Sequence, residues 1–315
     1  MKAGELIAIG GAYLDINAPQ FPLTEKGIEL ETEVVGDKYI VEPGGSAVNF
    51  ARMCTAMEIP TTFIGKIGKD ELGHILACQL LKASIQPCLI ESDEVSTNVS
   101  FNMINSEGKT IMALVGSANQ ALSPEEVYSR ASEIIGDSPY LYIGGCFKLK
   151  KLMPAFLELA ADAKNLGTKI VLDHARLNVA VTESDKETVR NLAITSDIYL
   201  PSVDEFMQLW NAPTLKEGML KFSKQSNSII VVKNGAQGAL TVVEGKIIVI
   251  PSFSVTPIHT VGAGDSFNAG FIAAQHKEQN LLDSIRFACA TAALKISQPN
   301  LPTYAEVIEF ISKEF

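Results

Sequence analysis

Four short segments of the chain combine glycines, small residues and carboxylate or amide side chains in patterns that suit phosphate and polyol chemistry. The first is His259-Thr260-Val261-Gly262-Ala263-Gly264-Asp265-Ser266-Phe267. Small residues at a helix entrance leave several backbone N–H groups exposed, and the helix dipole adds positive potential there. The amides of Gly262, Ala263 and Gly264 are therefore expected to form an anion hole for a phosphoryl group in flight. A carboxylate in that place would repel an anion that merely bound. Asp265 makes sense as the acceptor of a proton from an attacking hydroxyl. An ordinary Asp, with a pKa of about 3.9, is ionised at pH 7 as a base must be. The plain alternative is an Asp that caps the following helix.

The second segment is Pro43-Gly44-Gly45-Ser46-Ala47-Val48-Asn49, just ahead of an amphipathic run carrying Phe50, Met53 and Met57. Paired glycines let a ligand approach the backbone closely. Asn49 offers a donor and an acceptor to neighbouring hydroxyls. A turn with an N-cap is the competing explanation. The third, Gly10-Gly11-Ala12-Tyr13-Leu14-Asp15, follows an apolar strand, and a carboxylate there can accept two hydroxyl bonds. Its glycine spacing is not the G-x-G-x-x-G of dinucleotide binders, and the chain has no Walker A lysine motif. The fourth, Lys233-Asn234-Gly235-Ala236-Gln237-Gly238, is a turn between apolar strands. A further segment, Asp173-His174-Ala175-Arg176, ends another strand; Arg176 could offer a fork of donors to a phosphate or an acidic substrate, or form a surface ion pair.

The elements that must position these groups read as alternating strands and helices. Short apolar runs at Leu6–Ile9, Thr62–Gly65, Tyr140–Ile143, Lys169–Leu172, Asp197–Leu200 and Ile229–Val232 alternate with amphipathic stretches. Those include 70–82, a helix running from Gly145 through Leu166, and the long helical C-terminus from Gly264. Such alternation predicts βαβ units and a largely parallel sheet covered on both faces. Two stretches break the rhythm. Residues 12–43 hold only strand-like pieces, Glu33-Val34-Val35 and Tyr39-Ile40-Val41. Residues 97–115 read as a hairpin, Val99–Ile104 and Thr110–Val115 about a turn at Asn105–Gly108. The two insertions are expected to pair as a small separate sheet, a lid, on one α/β domain spanning 1–315.

Composition narrows the function classes. Of the 315 residues, 47% are hydrophobic, enough for a buried core, and the net charge of −10 argues against nucleic acid or an anionic membrane as partner. Five scattered cysteines without a C-x-x-C pair read as reduced core thiols. No 18-residue apolar run is present, and the N-terminus lacks a secretory h-region, so a cytoplasmic protein is expected.

In this order, the four segments resemble the ribokinase-like (PfkB) carbohydrate kinases over essentially the whole chain. Gly44-Gly45…Asn49 is similar to the family's first signature and Thr260–Asp265 to its second. The resemblance implies a doubly wound, mostly parallel sheet with a small β-lid. It implies ATP and Mg²⁺ as cofactors and a small sugar-like substrate phosphorylated on a hydroxymethyl group, with no role for nucleic acid or membrane. Asp265 would be the base; Asp15, Gly45 and Asn49 would bind substrate hydroxyls. Lys233, Gly235 and Gly238 would form the nucleotide-binding turn. Phe101 and Met103 would cover the substrate. Glu205, in Ser202-Val203-Asp204-Glu205, matches the family's N-x-x-E and would act on the metal through water, with Ser202 in place of Asn. Arg176 falls in a segment faintly similar to the D-x-N-x-R of fructokinases and 2-keto-3-deoxygluconate kinases. His259 stands where the second signature begins with Asp, a residue that helps hold an activating monovalent cation, which leaves potassium activation open. Ser46 replaces the Lys usual in ribokinases proper. Two further readings stand beside the sugar kinase. One is a nucleoside kinase of the same family, using Tyr13, Phe101 and Met103 for an apolar base pocket. The other is a non-catalytic sugar-binding regulator. The open edge of a β-lid also suggests a homodimer formed through it.

Overall fold

Runs such as Leu6–Gly10 and Tyr140–Gly144 are apolar at every position, so both faces of their strands must be covered. The computed structural model describes residues 5–22, 34–106, 110–177, 181–258 and 260–313. In chain order the strands are β1 (Leu6–Gly10), β2 (Tyr13–Pro19), β3 (Ile40–Gly44), β4 (Thr61–Gly68), β5 (Gln86–Ser92), β6 (Val99–Ile104) and β7 (Thr110–Val115). They continue with β8 (Tyr140–Gly144), β9 (Lys169–Asp173), β10 (Ile198–Tyr199), β11 (Ile229–Lys233), β12 (Ala239–Val243) and β13 (Lys246–Ile250).

The large sheet has the order β13-β12-β11-β10-β9-β8-β1-β4-β5. It is parallel from β5 to β11, with β12 and β13 antiparallel at one edge. Helices Ser46–Ala56, Glu71–Lys82, Ala263–His276, Leu281–Ser297 and Tyr304–Lys313 cover one face through Phe50, Leu76, Phe271, Phe287 and Val307. Helices Pro124–Gly136, Phe156–Asn165, Glu183–Thr195, Val203–Trp210 and Leu215–Gln225 cover the other through Val127, Phe156, Leu192, Phe206 and Phe222. This is the doubly wound sheet expected. β1 lies between β8 and β4, so the chain leaves it first to one side and later to the other. Open α/β sheets bind ligands at the carboxyl ends of strands at such a reversal.

The second sheet, β3-β2-β6-β7, is the expected lid. The two insertions join through β2 and β6, which run parallel from Leu14↔Val99 to Pro19↔Ile104; the flanking pairs are antiparallel. Its base is clamped to the body by Asn119. That amide accepts from the Ala12 N–H at 2.9 Å and donates to the Ala12 carbonyl at 3.0 Å. Its own N–H donates to Asn98 Oδ1 at 2.8 Å.

Some local expectations are corrected. Val34 and Val35 form no strand, and Glu33 lies outside the described residues, as does the 107–109 part of the hairpin turn. The stretch after Gly145 is not one helix. Two 3₁₀ turns, Cys146–Lys148 and Met153–Ala155, precede the helix Phe156–Asn165. Pro154 sits in the second turn, where its missing N–H costs no helical bond. Cys54, Cys78, Cys88, Cys146 and Cys289 are free thiols, and among the described residues no helix is long and apolar enough to cross a membrane.

Candidate active site

Glycines at the strand ends make room for the site. A Cβ on Gly10, which ends β1, would stand 2.5 Å from Ala47 Cβ, and one on Gly144, which ends β8, 3.0 Å from the Ala47 nitrogen. The Ser46–Ala56 helix therefore plants its N-terminus directly on the sheet reversal. Gly45, its N-cap, has φ 102°, and a Cβ there would lie 2.2 Å from the Gly11 carbonyl. A Cβ on Gly44 would lie 2.0 Å from the Asp15 carboxylate. The glycine pair thus seats both the loop after β1 and the carboxylate predicted to bind substrate.

The second helix entrance meets the first. Gly262 caps the Ala263–His276 helix with φ 78°, a left-handed conformation that suits glycine. The first intrahelical bond runs from the Ser266 N–H to the Gly262 carbonyl at 2.9 Å. The N–H groups of Gly264 and Asp265 fall in the turn that has no preceding helical carbonyls. The Ala263 N–H donates to the Thr260 carbonyl at 3.3 Å. Asn49 Nδ2 donates to Asp265 Oδ2 at 3.0 Å, joining two segments 216 positions apart.

Asp265 departs from the ordinary carboxylate assumed above. Burial, and then the charge of Asp173, push its pKa up to about 7; bonds from Asn49 and Ser46 and the charge of Lys233 oppose the rise. Asp15 is raised to about 7 as well, by burial and by the cross-strand Glu42, with Arg52 opposing. Arg52 in turn bridges Glu42 at 3.4 Å and the Pro43 carbonyl at 3.2 Å.

Lys233, at the end of β11, turns its side chain inward. Its ammonium lies 2.6 Å from Asp173 Oδ2 and 3.2 Å from Asn268 Oδ1. Asn268 Nδ2 also donates to Asp173 and to the Tyr142 hydroxyl. Asp173 and Asn268 were not among the predicted site residues. The signal for Asn268 was its spacing, one helical turn after Asp265; the signal for Asp173 was a carboxylate ending a strand. Gly235 and Gly238 have φ 53° and 91°, and a Cβ on Gly238 would strike the Ile250 carbonyl at 2.0 Å. A cavity of about 520 Å³ is lined by Lys233, Gly235, Gly238, Phe253, Gly264 and Ile296, among others. A larger groove, about 820 Å³, lies at the opposite ends of β4 and β5 and holds none of the predicted residues.

Other predicted residues fall elsewhere. Phe101 pairs with Ile16, and Asp15 with Ser100, so the strand pleat puts Phe101 on the lid face opposite Asp15. The Asp15 face carries the polar Ser100, Asn102 and Asn17, linked by hydrogen bonds of 3.0 and 2.9 Å, beside the apolar Leu114 and Met112 of β7. Sequence reasoning passed over these polar groups because it favoured apolar cover. Arg176 is exposed in the segment leaving β9. Glu205 Oε2 accepts from the Ser202 N–H at 2.7 Å, and the Ser202 hydroxyl accepts from the Glu205 N–H, a capping box. Among the described residues no group of three His, Cys, Asp or Glu could hold a metal ion, and His259 lies outside them.

Known proteins resemble this chain over nearly its whole length. The chain is 27% identical to a ribokinase of Haemophilus influenzae, over 97% of this chain and 98% of that one. It is also 27% identical to a 5-dehydro-2-deoxygluconokinase of Lacticaseibacillus casei, over 98% and 96%. A crystal structure of a ribokinase II candidate from E. coli, in complex with ATP and Mg²⁺, superposes with a TM-score of 0.82 at 19% identity, covering 98% of this chain and 99% of that one. A family profile described as pfkB family carbohydrate kinase matches residues 8–306, and the chain belongs to that family of kinases.

Proposed function

We propose that the protein transfers the γ-phosphoryl group of ATP to a hydroxymethyl group of a small sugar or sugar acid, with Asp265 as the base. The observation that carries this reading is the 3.0 Å bond from Asn49 to Asp265 at the entrance of the Ala263–His276 helix. One bond joins a polyol-binding amide to a carboxylate at the mouth of an anion site. The acceptor hydroxyl gives its proton to Asp265 as its oxygen bonds the γ-phosphorus. The bond from that phosphorus to the β,γ-bridging oxygen breaks, and ADP leaves with the electron pair. Of the amides of residues 262–264, that of Gly264 is foremost in stabilising the charge in transit, since the Ala263 N–H already donates to Thr260. Asp15, Gly45 and Asn49 hold the sugar, and the Lys233–Gly238 turn borders the nucleotide cavity.

Mg²⁺ fits a site with few protein ligands, because this ion keeps several waters and leans on substrate phosphates. Glu205, through water, would be its protein contact; when bound, the ion neutralises phosphate charge. A homodimer through the lid is proposed as well, since the face turned away from Asp15 carries Ile16, Phe101, Ala113 and Val115.

A coupled ADP-release assay across ribose, fructose, 2-keto-3-deoxygluconate, 5-dehydro-2-deoxygluconate, adenosine and inosine tests the reading, with and without potassium. Turnover with one sugar or sugar acid is expected. Turnover with nucleosides alone would move the substrate class, and none with any acceptor would overturn the proposal.

A further inference from the structure

The geometry points to Lys233 as a catalytic cation: its ammonium, clamped by Asp173 and Asn268, meets the phosphoryl group as it crosses the Gly264 amide. The inference rests on the helix entrance being the site of phosphate transfer. It differs from the nucleotide-binding role of the 233–238 turn, which depends on backbone and glycines.

Four observations carry it. First, β9, β10 and β11 are neighbours in the parallel sheet. β9 ends in Asp173, the helix after β10 carries Glu205, and β11 ends in Lys233. The Lys233 ammonium contacts Asp173 and lies within the electrostatic reach of Glu205 and Asp265. A phosphoryl group entering here would add negative charge to three carboxylates, and this ammonium lies within reach of all three. Second, the ammonium is fixed rather than mobile. It is held at 2.6 Å by Asp173 Oδ2 and at 3.2 Å by Asn268 Oδ1, and the lysine side chain is 11% exposed. Preorganised charge of this kind needs no rearrangement during reaction. Third, the nitrogen lies 3.7 Å from where a Cβ on Gly264 would stand. A Cβ there would make only ordinary contact with the ammonium, so Gly264 and Lys233 border one space within reach of a single anion. Both residues line the same cavity. Fourth, burial lowers the affinity of Lys233 for its proton, but Asp173 and Glu205 outweigh this and hold its pKa above the ordinary lysine value. It stays charged throughout the working range and takes no part in proton transfer.

The lysine shares a buried ion pair, so removing it alone would strand Asp173 and could unfold the chain. The test therefore compares wild type, Asp173→Asn, and the double variant Asp173→Asn/Lys233→Met, in which the pair is neutral. Two quantities are read in Mg²⁺ buffer: kcat with the best acceptor, and the ratio of affinities for AMP-PNP and ADP by calorimetry. The double variant is expected to lose on the order of 100-fold in kcat relative to Asp173→Asn, the usual cost of one transition-state charge partner. It is also expected to lose about tenfold in its preference for AMP-PNP over ADP, one ordinary charge contact at the third phosphate. A kcat within threefold of Asp173→Asn, or an unchanged nucleotide preference, overturns the assignment and leaves the lysine structural. If wild type phosphorylates no acceptor, the kinase reading fails by itself, and the nucleotide preference still decides the role of Lys233.

Discussion

Asp265, as the proposed base, combines a charge that burial opposes with a task that would require that charge. With a pKa of about 7, it is mostly protonated at pH 6 and mostly ionised at pH 8. Because the base works only when ionised, kcat/KM is expected to rise roughly tenfold between those pH values and then level off. Asp15 titrates in the same range, so the profile of Asp15→Asn is needed to isolate the Asp265 limb. The groups that set that limb are Asp173, Lys233, Asn49 and Ser46. Asp265→Asn should lower turnover by about 10² to 10⁴ while ATP still binds; unchanged turnover would reject the base assignment. Stability should move the other way. The folded pKa lies above the ordinary value of 3.8, so the folded chain holds this proton the tighter. That contribution is complete below about pH 4 and is lost as pH rises through 7. Asp265→Asn, which cannot ionise, is therefore expected to melt higher than wild type at pH 8 but not at pH 5. A lower Tm at pH 8 would show that the charge is stabilising after all. The residue types and their glycine neighbours were legible in the sequence. The shifted pKa was not, because it arises from burial and from the charge of Asp173, which belongs to another strand.

At the scale of elements, two helix entrances and one clamp decide whether the residues meet. Strand runs and helix starts were readable because burial on both faces leaves unbroken apolar stretches, as at Leu6–Gly10. The contact of Asn49 with Asp265 was not readable from either segment, since it depends on both helices converging on one end of the sheet. Lid faces were hard to read for a simpler reason. A one-residue shift along a strand reverses the face, so naming Phe101 rather than Ser100 chose the face turned away from Asp15. The clamping amide of Asn119 also escaped notice, because a lone Asn has no sequence signature for bridging to Ala12. Asn119→Ala is expected to destabilise the protein by about 1–3 kcal/mol, since it leaves the buried Ala12 N–H and carbonyl without this partner. Urea unfolding would measure this, and a loss under about 0.5 kcal/mol would mean that the clamp is dispensable. Gly262→Ala is a sharper probe of the helix entrance. At φ 78° an alanine is strained, by about 1–2 kcal/mol, although the space beside it is open, with Lys295 Cε 4.0 Å from the added Cβ. Relief of that strain would turn the amides, so kcat should fall more steeply than stability.

At the scale of the whole molecule, one face of the lid mixes polar residues with Met112 and Leu114, and the other is apolar at its centre. Asp15, Asn17, Ser100 and Asn102 look one way; Ile16, Phe101, Ala113 and Val115 look the other. Phe101 is 41% exposed and Val115 49%, on a sheet only four strands wide. Among the described residues β3 and β7 are the edges of this sheet, and an exposed apolar face on so thin a layer invites a covering partner. A second copy of the chain would cover the face and also restrain lid opening, linking assembly to turnover. The edge was foreseeable from the hairpin pattern, whereas the division of faces required the β2–β6 register. If two lids pack together, Phe101→Glu, which places a charge at the centre of that face, should convert the protein to monomer in sedimentation and light scattering. It should raise KM for the acceptor more than it lowers affinity for ATP, because the lid borders the Asp15 side of the site. A wild-type protein that sediments as a monomer at micromolar concentration, or a Phe101→Glu variant that stays dimeric, would remove the lid from the interface and leave its apolar face without a partner of this kind.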